Sequence, residues 1–542
     1  MNSRFKKIVE KSVVILIAVN ILVGLFTFQD FGLTWDEPLF YSYGDALGYA
    51  YSPNEWFSGE YDLYNSYGSS GDDHKNRGPA YLLLARNFVY GLEALGSDPI
   101  PAWHLVNFIF FQLGIYFLYR LSTRWMGKSA AFFTTIFFST QPLLWGHAFI
   151  NPKDPPFLTF FLASICLGFE MVDSITEDKK DKTKKTILAS FFLGIATSIR
   201  ILGPFAGLLV FIYFIFRQKN KKIIPAWRSF IAYGVIAILV MIVTWPYLWE
   251  NPVRNFFGVL RFMSDNPTQL GLLYEGVLHR ANDLPLRYFP FMLGTTLTEP
   301  AIPLFFFGMI VAVWMFVKNH PLNHPLGSSR GDEKYRDPFV SLSLALTWFL
   351  VLIAYVLIRR PSMYDGIRHF LFILPPVFIF IGLAFQFIMD LINKWIKPPF
   401  SAWLLTGLGL ILIVPGIYGI IKLHPYQYTY YNFYIGGTNG AYRTYETDYW
   451  LTCYKDAVEK LNELTDAPVN LFVKREAYLA APFANDNIRV RELLDGRDEI
   501  QSGDYVLSNS RTNDDMSTFP NAPVVVEISR VGVKFCTIRQ IP

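Results

Sequence analysis

The chain has 542 residues, of which 52% are hydrophobic, 17% aromatic and only 17% charged, a balance that excludes an ordinary soluble domain and indicates a polytopic membrane protein. The formal net charge of +4 carries little, because in such proteins the placement of Lys and Arg matters more than their sum; with no nucleic-acid motif present, no nucleic-acid partner is expected. Cys166 lies in an apolar run, no metal spacing appears among the three cysteines, and whether Cys453 and Cys536 pair in the polar tail is open.

Arg4, Lys6, Lys7 and Lys11 precede a first apolar run at 12–28 that lacks a small-residue cleavage site and reads as a retained span. Just beyond it, residues 32–41 read Gly-Leu-Thr-Trp-Asp-Glu-Pro-Leu-Phe-Tyr. Pro38 suits a first helical position, which makes Glu37 the cap and leaves Asp36 free to point elsewhere. Sequence neighbours do not share a face, so one of these acids enters a pocket, and Asp36 is the choice. Residues 29–100 are polar and aromatic, and Asp72, Asp73 and His74 read as a solvated turn rather than a metal site.

Further spans are expected near 101–119, 129–147, 156–173, 186–199, 203–216, 229–247, 299–317, 338–358, 369–392 and 402–421, about eleven crossings in all. The runs 186–199 and 203–216 read as a hairpin of short helices or one long element. Lys and Arg gather at the amino end, at 120–128, 179–185 and 217–222, at Lys318, Lys334 and Arg336, and at Lys394 and Lys397. That side is read as cytoplasmic, with the amino terminus on it. The opposite side receives the Asp36 loop, the Asn151 loop, residues 247–298, the loop 359–368 and the tail. In the tail, apolar Ala457, Val458 and Leu461 mark a helix, and runs at 469–473, 505–508, 524–528 and 533–538 read as strands. The expected fold is therefore an α-helical membrane domain over 1–421 followed by a small extracytoplasmic α/β domain over 422–542. The tyrosine-rich run 424–434 suits a membrane-interface belt.

Three constellations carry chemistry. The first is Asp36 with Glu37. The second is the loop Asn151-Pro152-Lys153-Asp154-Pro155-Pro156, in which Asp154 reads either as a helix cap or as a second acid facing Asp36. Lys153 is not needed for a cap and offers a cation for an anionic head group. The third is Arg359-Arg360-Pro361, Tyr364-Asp365-Gly366 and Arg368-His369, where Arg368 and the free amides of the next helix suit a phosphate. Arg200, between two short runs, is a further cation at the same level. An acid, several cations and many aromatics at the membrane surface fit a lipid-phosphate sugar donor. Phosphate leaves well once its charge is neutralised, so only the attacking hydroxyl needs a base, and one displacement inverts the anomeric centre. Asp36 is that base.

Trp-Asp-Glu after the first span, Asn-Pro-Lys-Asp-x-Pro-Phe in the second loop and Arg-His-x-Leu-Phe-x-x-Pro-Pro entering a late span resemble the GT-C glycosyltransferases. Within them the resemblance is to the dolichyl-phosphate-mannose protein mannosyltransferases and the bacterial lipid A aminoarabinose transferase. It implies a polyprenyl-phosphate sugar donor, a protein or glycolipid acceptor, and transfer on the outer face of what is expected to be a bacterial plasma membrane. Asp36 or Glu37 would lie near the acceptor and Asp154 would be the second-loop acid. Lys153 and Arg368 would serve the donor phosphate, with Arg200, Arg359, Arg360, Tyr364 and His369 completing the substrate-binding set. The tail is too short for the β-trefoil domain of eukaryotic protein mannosyltransferases, which leaves sugar and acceptor open. A divalent cation, Mg²⁺ or Mn²⁺, is compatible with the acids, and Lys and Arg are the alternative. The competing class is a transporter or flippase of lipid-linked sugars, which Pro375-Pro376 within an expected span keeps alive.

Overall fold

The computed structural model describes residues 3–218, 223–264, 268–318 and 338–542. Lys221, Lys222, Lys334 and Arg336 of the basic set lie outside them. Every expected apolar run is helical: Ser3–Thr27, Pro99–Ser122, Asp154–Thr176, Lys182–Ile199, Pro204–Arg217, Ile223–Val243, Ala301–Lys318, Pro338–Arg359, Leu374–Trp395 and Phe400–Leu423, with 129–147 divided in two. Six helices among the described residues are long and apolar enough to cross a membrane, or seven if the bent pair Tyr288–Thr296 and Ala301–Val317 counts as one span. The protein is an integral membrane protein. The runs at 186–199 and 203–216 are two helices, separated by a turn that carries Arg200.

The division of 129–147 has a local cause. Lys128–Ser139 stops before Gln141 and Pro142 opens Pro142–Ile150 at a first-turn position, where a missing N–H costs nothing. The Gln141 amide spans the break, donating to the Phe137 carbonyl at 3.0 Å and to Thr298 Oγ1 at 3.0 Å while its oxygen accepts the Thr298 N–H at 3.0 Å. Thr298 lies at the bend between Tyr288–Thr296 and Ala301–Val317, so two breaks satisfy each other's backbone inside the bundle. Pro375 and Pro376 likewise open Leu374–Trp395 rather than interrupt it.

Burial separates the centre of the bundle from its rim. The windows of Asp154–Thr176 and Arg368–Trp395 are 94% and 89% buried, whereas those of Phe400–Leu423 and Ala226–Val243 are 17% and 22% buried. The two most enclosed spans thus begin at Asp154 and at Arg368.

The tail carries a five-stranded sheet of Val469–Val473 (β3), Ile488–Glu492 (β4), Tyr505–Asn509 (β5), Val524–Arg530 (β6) and Val533–Gln540 (β7), counted after the hairpin Gly271–Tyr274 (β1) and Val277–Arg280 (β2). Its order is β4-β3-β5-β7-β6, with β3 parallel to both neighbours and β7 antiparallel to both of its own. Ala457, Val458 and Leu461 of Cys453–Leu464 are buried, as their spacing predicts. A disulfide joins Cys453 to Cys536, with Cα atoms 5.9 Å apart.

The tyrosines of 424–434 depart from expectation. Tyr426, Tyr428, Tyr430 and Tyr431 are buried, and Phe433 and Tyr434 are the exposed aromatics of that run. Each phenol has an acceptor that a lipid interface would not supply: Tyr426 donates to Asp456 at 2.7 Å, Tyr431 to the Glu446 carbonyl at 2.9 Å, and Tyr430 to Glu299 at 3.2 Å. This run is the packed joint between tail and helices, which a large amphipathic ring with one polar end suits as well as a belt.

Candidate functional site

Four of the residues singled out by sequence meet in one cluster. Asp36 precedes the helix Glu37–Ala50, Asp154 opens its span, Arg200 follows Lys182–Ile199, and Arg368 precedes Leu374–Trp395. The helix after the first span starts at Glu37, one residue earlier than Pro38 implies, and Asp36 at its N-cap makes no side-chain cap hydrogen bond. Its carboxylate turns away instead and accepts from Arg368 Nη1 at 3.0 Å.

In the second loop the capping is done by Asn151. Its Oδ1 accepts the N–H groups of Lys153 and Asp154 at 3.1 and 2.9 Å, and its Nδ2 donates to Asp154 Oδ2 at 2.9 Å. Asp154 is thereby released from the capping role and pairs with Arg200, while Arg368 Nη1 stands 3.6 Å from its Oδ2. The Asp36 side chain is 31% exposed and that of Asp154 only 2%, so Asp36 is the acid an incoming hydroxyl can reach.

Lys153 is buried with its Nζ 5.3 Å from the centre of the Phe40 ring, and among the described residues that Nζ makes no hydrogen bond or ion pair. Burial first, then the guanidinium groups of Arg77 and Arg200, hold its amine well below the ordinary lysine value, with Asp73 and Asp36 opposing them. A buried cation without a bonded anion is a ready partner for an anionic ligand.

Arg368 is held from behind. Its Nε stands 3.1 Å from Asp365 Oδ2, and its guanidinium lies between the rings of Tyr364 at 5.0 Å and Trp450 at 4.9 Å. Trp450 Nε1 donates to Asp365 Oδ2 at 3.0 Å, and Arg511 Nη1 donates to Asp365 Oδ1 at 2.7 Å. Trp450 and Arg511 come from the tail and had no distinguishing spacing in the sequence. Asp365 stands in a quoted motif but offered no sign that it orients Arg368.

The remaining candidates lie elsewhere. Glu37 is fully buried and points into the protein, accepting the Thr34 N–H at 2.7 Å, the Tyr41 hydroxyl and a contact from His104 Nε2 at 3.0 Å. Arg359 and Arg360 are exposed, and Arg360 lines a small surface cavity with Asp283 and Met363. His369 packs edge-on against Tyr364 at 4.8 Å. Asp72 and Asp73 pair with Lys75 at 3.1 Å and Arg77 at 2.8 Å, but His74 is buried against the Phe40 and Tyr43 rings, so the short helical turn Gly71–His74 is solvated on one side only. Among the described residues the group of acid, His and Cys side chains close enough to share an ion is Asp448, Cys453 and Cys536, and its thiols are spent in the disulfide.

A paired acid and arginine thus meet a buried second acid, with residues of the tail packed over them. The profile of Glycosyltransferase family 87 matches residues 99–327, a stretch that includes Lys153, Asp154 and Arg200 and excludes Asp36 and Arg368. The chain shares its fold with the archaeal oligosaccharyltransferase AglB from Archaeoglobus fulgidus, at 11% identity and a TM-score of 0.50 over 94% of this chain and 70% of that one. ArnT from Cupriavidus metallidurans, solved with undecaprenyl phosphate, is 14% identical with a TM-score of 0.47, over 97% of this chain and 98% of its own. The mycobacterial arabinofuranosyltransferase AftD is 11% identical with a TM-score of 0.44, over 100% of this chain and 42% of its own. No curated protein sequence matches the chain.

Proposed function

We propose that the protein transfers a sugar from a polyprenyl-phosphate donor to a hydroxyl acceptor, a protein or glycolipid, with inversion, on the extracytoplasmic face of a bacterial plasma membrane. The observation that carries this reading is the pair formed by the reachable carboxylate of Asp36 and the buried guanidinium of Arg368.

A donor phosphate entering here competes with Asp36 for Arg368. Its arrival places the leaving group's charge on Arg368 and Lys153 and frees the Asp36 carboxylate for the acceptor. The acceptor hydroxyl then gives its proton to Asp36 as its oxygen bonds to the anomeric carbon. The bond from that carbon to the phosphate oxygen breaks, and polyprenyl phosphate departs as an anion. One displacement on the face opposite the phosphate inverts the centre. Asp154, paired with Arg200 and close to Arg368, offsets the mutual repulsion of these two cations. The carboxylates of this cluster are committed to guanidinium groups, a donor set unlike the free oxygens a divalent ion takes. In this reading Lys153 and Arg368 neutralise the phosphate, and Asp36, once freed from Arg368, is the oxygen donor open to a divalent ion. The paired prolines stand within the span Arg368–Trp395, where the 3-10 turn Arg368–Ile373 passes into Leu374–Trp395, and the gathering of charge at span ends rather than mid-span supports transfer over transport.

The test is transfer from a radiolabelled panel of polyprenyl-phosphate sugars in purified membranes, with the natural chain and Asp36→Asn. Transfer by the former and a loss of about a hundredfold or more in the latter is the expected result for a general base. Equal rates remove Asp36 from catalysis. Movement of donor between leaflets with no transfer returns the transporter reading.

A further inference from the structure

Trp450, Tyr478 and Arg511 of the tail reach the cluster, and Arg511 joins its two sides. It lies two residues beyond the end of β5 and is fully buried, an unusual position for an arginine. Three of its contacts lead towards the acid and arginine described above. Its Nη1 donates to Asp365 Oδ1 at 2.7 Å, and the other oxygen of that carboxylate stands 3.1 Å from Arg368 Nε. The same Nη1 donates to the Tyr449 carbonyl, which fixes the residue before Trp450. Its guanidinium also stacks over the Trp35 ring at 4.3 Å, and Trp35 is the residue before Asp36. A second tail residue, Tyr478, donates to the Trp35 carbonyl at 3.1 Å.

We infer that Arg511 and Asp365 are positioning residues for transfer: the tail domain sets the orientation of Arg368 through Asp365, and the approach of Asp36 through Trp35. This rests on the proposed glycosyl transfer. The physical case is the placing of one carboxylate. Asp365 Oδ2 faces both Arg368, as an ion pair at Nε rather than a hydrogen bond, and the Trp450 indole N–H, while Arg511 on Oδ1 holds the carboxylate in the orientation that keeps Oδ2 there. Glu446 Oε1 lies 3.4 Å from Arg511 Nη2, and burial pushes its carboxyl up to about 8. Arg511 touches neither donor nor acceptor in this reading and acts only through Asp365 and Trp35.

The experiment compares kcat and KM for donor in the full chain with Arg511→Gln, Asp365→Asn and Arg368→Gln, and with the first two each combined with the third. Thermal midpoint and elution in detergent report folding. Asp365→Asn keeps the volume and the acceptor for Trp450, so it serves if Arg511→Gln does not fold. The expected result is a fall of about tenfold or more in kcat/KM for either single variant at an unchanged elution position. In the Arg368→Gln background the further loss should be under about threefold, because residues acting through one another are not additive. Single variants within twofold of the natural chain overturn the inference. So does a loss that multiplies in full on Arg368→Gln, which is the mark of a merely structural role, and so does failure of both variants to fold. If the natural chain transfers from no donor in the panel, the functional reading has failed and the positioning role falls with it.

Discussion

Lys153 and Arg368 are both cationic and both buried, yet they are prepared for an anion in different ways. Arg368 is already satisfied by Asp36 and Asp365 and must exchange one partner for the donor phosphate. Lys153 has a ring and repelling guanidinium groups around it, and its amine is held down by burial, then by Arg77 and Arg200. The sign of the consequence follows. Below the lowered value the amine is charged and binds phosphate; as pH rises through it the amine becomes neutral and donor affinity is lost, while bound phosphate pulls the value back up. Donor KM in the natural chain should therefore rise by about tenfold with pH in a range well below that of an ordinary lysine. Lys153→Arg should flatten that rise, because a guanidinium stays charged. Steady-state KM against pH for the two proteins is the measurement, and identical profiles would remove Lys153 from the donor site. Glu37, next to Asp36 in sequence, shows the opposite use of an acid: its oxygens are consumed by Thr34, Tyr41 and His104 within the fold.

At the scale of elements, the loop 151–154 shows how a cap makes a site. Sequence reasoning leaves Asp154 as either cap or acid because Asp before Pro is compatible with both. The structure resolves this through Asn151, whose side chain takes the capping bonds and passes its amide to Asp154. Asn151→Ala should cost about 1 kcal/mol in stability, the ordinary value of a lost cap, and should lower transfer by about tenfold through a loosened Asp154. Thermal midpoints and transfer rates of the purified variant decide it; an unaltered rate would mean that Asp154 needs no such support. Hydrophobic runs made the helices legible, charged residues close to Pro at their ends made Asp36, Lys153 and Asp154 legible, and positive charge on the side depleted of it made Arg368 legible. The break at Gln141 was hidden because Thr298, its partner, lies far along the chain. Strand β4 was hidden for a different reason: Ile-Arg-Val-Arg-Glu alternates, but two arginines in five residues read as surface. Arg511 and Trp450 were invisible because their meaning depends on a contact between tail and bundle that no local pattern encodes.

At the scale of the molecule, the tail and the bundle are one structure at the site, and the disulfide stands where they meet. Cys453 opens a helix just after Trp450, and its N–H is taken by Asp448 at 3.1 Å. Cys536 lies on β7, paired in register with Asn509 at the end of β5, two residues before Arg511. Asn509 in turn donates from its side chain to the Asp448 carbonyl at 3.1 Å. The cross-link therefore ties the segment bearing Trp450 to the strand pair that presents Arg511, across a sequence separation of 83 residues. A closed loop of that length restricts the unfolded chain enough to be worth about 2–4 kcal/mol. Replacing both cysteines by serine should lower the thermal midpoint of the tail. It should also slow transfer by about tenfold, since Arg368 loses part of the wall that Trp450 and Asp365 provide, while the helix content of the bundle is retained. Circular dichroism, a thermal scan and donor turnover on the same preparation separate these outcomes. A variant with a lowered midpoint and an undiminished rate would show that the bundle holds Arg368 by itself, and that the tail covers the site without shaping it.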